Sequence, residues 1–336
     1  MAGLKEVAAL AGVSTNTVSR ALRRSGYLAP TTLENVSRAA RQLNYRPHRA
    51  ARSLRYNQSQ DIAVIADSTF LHIQVIAAIQ EVSAIAERTT RVFFVAKDFG
   101  HGRLPAILDA LRAERPAGVI CIGMSSELAE AAFSIQSSLP TVHVSYDHEE
   151  GMDCVFVDRS QGVADAVRHL YDGGRRRIAY VGDDFFGNKL KGYHAAIREL
   201  GLRPWHVSVK EPSPDTPSAR AKAEVPKLAR DLLALPEEPD GIITWDDYFA
   251  ARFVAELPLL RRRVPEDVAV VGFDNRDFAE ITEPPLTSIA KPNHEVGRQA
   301  ANLLLERLEP AGKDSPPRSV RVPMHLVVRE STCPKN

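Results

Sequence analysis

A small all-α helix-turn-helix head followed by an α/β body of two doubly wound parallel-sheet lobes is the fold the sequence predicts. Three observations predict it. Cations gather at the amino end, the same end carries a helix–glycine–helix pattern, and β-rich apolar runs recur at a near-constant offset through the rest. The 336 residues are too many for one ordinary core and suit two or three domains. With 44% hydrophobic and 25% charged residues the composition is that of a globular protein. No apolar run approaches the roughly 18 to 20 residues of a membrane helix, and residues 1–6 lack the apolar run of a secretory signal. A cytoplasmic protein without membrane contact is expected. Cys121, Cys154 and Cys333 stand far apart with no metal-binding spacing and read as reduced thiols, with no cofactor implied.

The net charge of +1 hides an asymmetry. Residues 1–60 hold ten Lys and Arg against only Glu6 and Glu34, a net +8, which leaves about −7 on the remainder. A basic head on an acidic body points the head at a polyanion. Its pattern says which kind. Residues 4–11 place apolar side chains at helical spacing and stop at Gly12, a natural left-handed terminus. Ser14 is a good N-cap for a second helix over 15–22. In that helix Val18, Ala21 and Leu22 can face inward, while Thr15, Asn16, Ser19 and Arg20 point outward from its first turns. Asn can pair with adenine and Arg with guanine in the major groove. Pro30 opens a third helix over 32–43, with Leu33, Val36, Ala40 and Leu43 on one face. A generic three-helix bundle would not explain short polar groups and Arg at the outward positions.

The run Val7-Ala8-x-x-Ala11-Gly12-Val13-Ser14-x-x-Thr17-Val18-Ser19-Arg20 resembles the signature of the lactose/galactose repressor family, and Leu43-Asn44-Tyr45-Arg46-Pro47 is similar to that family's hinge. The resemblance implies DNA contacts by Leu4, Ser14, Thr17, Tyr27, Asn44, His48, Ala51 and Leu54 besides the outward residues named above. It also implies a short hinge helix over 47–55 that forms on DNA, with Leu54 wedged into a minor-groove base step. The other reading of Leu54 is an ordinary apolar linker residue. His48 stands where the family usually has Asn, a weaker cap that titrates near neutral pH. Ala29 replaces the usual Ser cap of the third helix. The implied organisation is a DNA-binding head over 1–46, a hinge and linker over 47–60, and an effector-binding and dimerisation domain over 61–336. Its first lobe spans about 61–158 plus 290–320, and its second about 159–289 plus the C-terminal segment. Since no heptad tail follows the body, a homodimer on a palindromic operator is expected.

The body is read from its repeats. Residues 62–67 echo 178–183, 116–122 echo 239–245, and 140–144 echo 266–272, at offsets of about 115 to 127 residues. Helical stretches at 76–87, 104–114, 162–171, 190–200 and 247–256 alternate with the apolar runs. Such sheets bind ligands beyond the carboxyl ends of their strands, and those ends carry Asp67, Asp147, Asp183, Asp246 and Asp274. Carboxylates there can accept hydrogen bonds from vicinal hydroxyls, as on a sugar. Alternatively they cap the next helix, the role the spacing suggests for Asp247.

The resemblance adds Lys189, where Arg is usual, and Phe70, near an aromatic ligand contact. It sets Thr244-Trp245-Asp246-Asp247 on the family's Ala-Asn-Asp and aligns Val271 to Asn275 with a ligand-bearing strand end. Lys is a point charge where Arg is a fork, and an ionised Asp246 only accepts where Asn also donates. A polyhydroxylated effector with a cationic or strongly donating group follows from Asp246 and Asp274. Trp245 either stacks on a pyranose face or is a buried strand residue. A carboxylate-based hydrolase and a solute-binding protein are the competing classes. No nucleophile, phosphate-loop, metalloprotease or dinucleotide motif supports an enzyme, and a solute-binding protein would have no DNA head.

Arg20→Ala is expected to cost about 1 to 3 kcal/mol at the cognate site and to relax base preference. Binding measured on a set of single-base operator variants checks this, since a loss uniform across sequences would mean that Arg20 touches only phosphate. Leu54→Ala should weaken specific binding more than non-specific binding, and equal losses would remove the wedge.

Overall fold

The computed structural model describes residues 3–22, 28–45, 60–67, 73–95, 103–123, 126–182, 188–209 and 217–333. They fall into two compact units, Met1–Gln60 and Asp61–Asn336. Among the described residues no helix is long and apolar enough to cross a membrane.

The first unit contains α1 (Leu4–Ala11), α2 (Thr15–Leu22) and α3 (Pro30–Gln42). Local chemistry sets each boundary. The Glu6 carboxylate accepts the Gly3 N–H at 2.9 Å, and α1 ends on Gly12 at φ 66°. Ser14 Oγ accepts the Thr17 N–H at 3.0 Å to start α2. Ala29 offers no side-chain bond, yet α3 begins at Pro30, earlier than residue 32, because Pro at the first helical position presents no orphan N–H. Val7, Ala8, Val18, Ala21, Val36, Ala39 and Ala40 form the core, flanked by Leu4, Leu33, Leu43 and Tyr45.

The second unit opens with β1 (Ile62–Asp67), α4 (Ile73–Ile85), β2 (Thr90–Val95), α5 (Arg103–Glu114), β3 (Gly118–Ile122), α6 (Ser126–Ile135), β4 (Thr141–Ser145) and β5 (Asp153–Val157). After α7 (Arg159–Asp172) the pattern repeats as β6 (Ile178–Val181), α8 (Lys189–Glu199), β7 (Trp205–Val207), α9 (Pro217–Leu233), β8 (Gly241–Thr244), α10 (Asp247–Glu256), β9 (Ala269–Asp274) and β10 (Thr287–Ala290). It closes with α11 (Asn293–Leu308), β11 (Ser319–Val322) and β12 (His325–Val327). Two six-stranded sheets result, ordered β11-β5-β4-β3-β1-β2 and β12-β10-β9-β8-β6-β7. All described pairings are parallel except β10 with β12. In each sheet the strand order reverses between the first and third strands, β1/β3 and β6/β8, the switch point where open parallel sheets take ligands.

The chain passes between the lobes three times. It crosses after β5 into α7, after β10 into α11, and after β11 into β12. Each crossing helix packs on the other lobe's first helix, α7 on α8 and α11 on α4. One apolar core therefore takes in residues of both sheets, including Ile62, Val155, Val167, Tyr180, Ile243 and Leu304.

Glycine permits the close helix approach. A Cβ at Gly192 in α8 would lie 2.0 Å from the Ser160 carbonyl oxygen of α7, and one at Gly297 in α11 would lie 2.2 Å from Val75 O of α4. Neither neighbour is a side chain that can turn aside. Gly192→Ala should thus lower stability by about 1 to 3 kcal/mol, the usual range for overpacking, read as a fall of several degrees in the thermal midpoint. An unchanged midpoint would mean that α7 and α8 do not meet at this distance.

Candidate functional site

In the head, Ser14, Thr15 and Asn16 are exposed at the start of α2, while Thr17, Ser19 and Arg20 are half-buried. Thr17 Oγ1 lies 2.9 Å from Ser14 Oγ, so these two hydroxyls serve each other as well as the cap. Leu4 is half-buried against the head core. Asn44 is exposed at φ 46° just beyond α3, in the left-handed position that ends a helix. Tyr27, His48, Ala51 and Leu54 lie outside the described residues, as do Phe70 and Asp183 of the body.

In the body, the carboxyl ends of both sheets carry a dense set of charges. Asp67 ends β1 beside Gly123, whose φ of 157° and lack of a side chain make room for it: a Cβ there would be 2.8 Å from Asp67 Oδ2. The second lobe repeats the device with Gly182, where a Cβ would be 2.5 Å from Trp245 Cβ. Asp147 follows β4 and accepts from His148 N at 2.9 Å and from Asn188 Nδ2, a bond that joins the first lobe to the start of α8. The Arg159 guanidinium, at the first crossing, lies 3.8 Å from the Tyr146 ring centroid and donates to Tyr146 O at 3.1 Å. Burial pulls Arg159 down to about 10 and pushes the Tyr146 phenol up.

The predicted roles of Asp246 and Asp247 exchange in part. Sequence spacing points to Asp247 as the helix cap, but Asp246 holds that place, accepting Phe249 N at 2.9 Å. Because α10 starts at Asp247, that side chain turns inward. There it accepts from Ser288 Oγ at 2.5 Å and from Arg276 N at 2.7 Å. Burial raises Asp246 to about 6 and Asp247 to about 7. The capping role does not move Asp246 away from the cleft, where the charges of Asp274, Lys189 and Arg276 reach it.

Lys189 is buried at the start of α8. Its ammonium donates to Trp245 O at 2.6 Å and lies 3.6 Å from the Phe273 ring centroid. Burial lowers it to about 8, with Asp274 acting in opposition. Trp245 packs edge-on against Phe249, centroids 5.6 Å apart, and its buried Nε1 has no acceptor among the described residues. Asp274 sits at φ 99°, followed by Asn275 at φ 49°. Ser288 Oγ accepts Asn275 N at 3.0 Å, so Ser288 and Asp247 together brace this unusual turn. Asp274 then faces Arg276 Nη2 at 3.4 Å and Lys291 Nζ at 3.8 Å.

The structure thus gathers Asp67, Asp147, Lys189, Trp245, Asp246 and Asp274 at the facing strand ends. It adds Tyr146, Arg159, Arg276 and Lys291, which sequence reasoning missed. Arg159 and Lys291 stand at the inter-lobe crossings, a position visible only once the path of the chain is known. Arg276, two residues beyond Asp274, was the one within reach of local inspection. The arrangement can bind and orient a small polar molecule.

Comparison with known proteins agrees with this geometry. The profile of the bacterial regulatory proteins of the lacI family matches residues 3–48, and that of the periplasmic binding protein-like domain matches residues 167–332. The chain is 29% identical over 340 residues to the HTH-type transcriptional repressor PurR of Vibrio campbellii, covering 98% of each. It is 28% identical over 345 residues to the repressor CytR of Escherichia coli K12, covering 98% of this chain and 96% of that one. Among solved structures, the lac repressor dimer bound to operator and the anti-inducer ONPF superposes with a TM-score of 0.82 at 23% identity, over 98% of this chain and 99% of that one. The regulator CelR in complex with cellobiose superposes with a TM-score of 0.66 at 25% identity, over 98% and 100%. The chain thus joins a lacI-family helix-turn-helix domain to a periplasmic binding protein-like domain, and is a DNA-binding transcription regulator with an effector-binding domain.

Proposed function

We propose that the chain works in the cytoplasm as a homodimer on a palindromic operator, and that a small polyhydroxylated molecule of the sugar class, held between the two lobes, sets its operator affinity. The observation that carries the effector reading is the convergence of Asp67, Asp147, Asp246 and Asp274 at the strand ends, around Arg159, Lys189 and Arg276. Carboxylates accept from ligand hydroxyls. The cellobiose complex of CelR supports the sugar class, and the lac repressor dimer on its operator supports the dimer.

In the head, Thr15, Asn16, Ser19 and Arg20 read base edges, while Leu4, Ser14, Thr17, Tyr27 and Asn44 fix the register. His48, Ala51 and Leu54 belong to the hinge over 47–60, whose order on DNA is the element the effector biases. A ligand can shift such an equilibrium only by its differential affinity for the two lobe arrangements.

Three measurements test this reading. Selection from random DNA with the full chain should return a palindrome, and removal of residues 1–60 should abolish that binding while effector binding persists. Asp274→Ala, followed by calorimetry, should weaken the effector about 10- to 100-fold, the loss of one charge-assisted bond of roughly 1.5 to 3 kcal/mol. Undiminished affinity would remove Asp274 from the site. Sedimentation should show a dimer at micromolar concentration, and a monomer with operator bound would contradict the scheme.

A further inference from the structure

We propose that the cleft selects an effector carrying an anionic group, a carboxylate or a phosphate on a hydroxylated frame, and that Lys291 is the residue that reads it. This rests on the reading that the effector lies between the lobes.

Lys291 occupies the crossing between β10 and α11, and its side chain is only 13% exposed. Its one ion pair among the described residues is with Asp274 Oδ1 at 3.8 Å, beyond hydrogen-bond distance. Asp274 is not its alone, because Arg276 Nη2 approaches the other oxygen at 3.4 Å. Arg159 and Lys189 lie within electrostatic reach of the same carboxylate.

Among the described residues the other acids of the crevice hold different donors. Asp147 holds His148 N and Asn188, Asp246 holds Phe249 N, and Asp247 holds Ser288 and Arg276 N. Asp67 reaches Lys291 only through its field and has a partner of its own. Lys189, the other buried ammonium, already has the Trp245 carbonyl.

Among the described residues no acceptor lies within hydrogen-bond distance of the Lys291 ammonium, and the buried Arg276 Nε has no acceptor either. A buried ammonium without a close partner is unfavourable, and a ligand carboxylate or phosphate would satisfy it through short charge-assisted bonds. A neutral hydroxyl accepts more weakly. An amine would bring a fifth cation to the four that already share Asp274. An anionic effector departs from the expectation of a cationic or strongly donating group drawn from Asp246 and Asp274.

The test uses the full chain, first with minimal probes and then with matched sugars. Sodium formate and inorganic phosphate, compared with sodium chloride at equal ionic strength, should raise the thermal midpoint of the wild type. Lys291→Gln and Lys291→Met should lose the extra rise, and Lys291→Arg should keep it. The size of the formate and phosphate responses tells which anion is preferred.

Calorimetry then compares D-glucose, D-galactose, D-glucosamine, D-glucuronate, D-galacturonate, D-gluconate and D-glucose 6-phosphate. At least one acid should bind ten-fold or more tighter than its neutral parent, and Lys291→Gln should erase that margin. Equal formate and phosphate responses in wild type and in both neutral variants would overturn the proposal. So would a neutral or amino sugar that binds as tightly as its acid counterpart, although the cleft reading would then survive. A Lys291-dependent anion response with no sugar acid bound would uphold the anion site and sink the polyhydroxylated reading instead.

Discussion

A buried cation must be neutralised where it stands, and at the strand-end crevice of this protein that duty falls on Asp274. Arg276 and Lys291 flank its two oxygens, and Arg159 and Lys189 feel its charge from the crossing into α7 and the start of α8. Those groups come from different lobes or from the segments that join them. Any change in lobe angle must therefore redistribute charge around one carboxylate. The fold is built to hold that carboxylate still. Asp274 and Asn275 adopt left-handed backbone angles, which non-glycine residues keep only when their surroundings fix them. Asp247 and Ser288 supply the fixing, and Gly272 leaves the space, since a Cβ there would stand 2.1 Å from Asp247 Oδ1.

The same logic bears on the proposed control of DNA binding by the crevice. Packed interfaces between lobes have a few discrete arrangements and do not deform continuously. The close seats of Gly192 on α7 and of Gly297 on α4 make each crossing helix part of the opposite lobe. A change of lobe angle would fall on the three short crossings, at Asp158, Lys291 and Pro323. A ligand that bridges Asp274 and the cations at two of those crossings would favour one arrangement over the other. Under the proposed function, residues 47–60 would report that choice.

Much of this was legible in the sequence, for physical reasons that can be named. Helix boundaries in the head were set by Gly12, Ser14 and Pro30, each acting on its own backbone, and α1 and α2 fall on 4–11 and 15–22 as expected. The duplicated sheets showed because buried parallel strands are continuous apolar runs: β1, β3, β6 and β8 are buried throughout. Less visible were α9, interrupted by Pro226, and the short edge strand β7, only partly buried. At the site, strand-end aspartates were readable, but which of Asp246 and Asp247 caps α10 depends on a single-residue shift of the helix start. Arg159 and Lys291 were not readable at all, because their places beside Tyr146 and Asp274 depend on where the chain crosses between the lobes. Tyr27, His48, Ala51, Leu54 and Phe70 lie outside the described residues, so their roles rest on the resemblance.

Under the proposed function, occupancy of the crevice and affinity for the operator are coupled. Thermodynamic linkage makes this testable from both sides. Operator affinity should be measured by fluorescence anisotropy with and without saturating effector, and effector affinity by calorimetry with and without operator. The account predicts the same factor in both, of about 5- to 150-fold in either direction, corresponding to a coupling of roughly 1 to 3 kcal/mol. An effector that binds tightly yet changes operator affinity by less than about two-fold would contradict it.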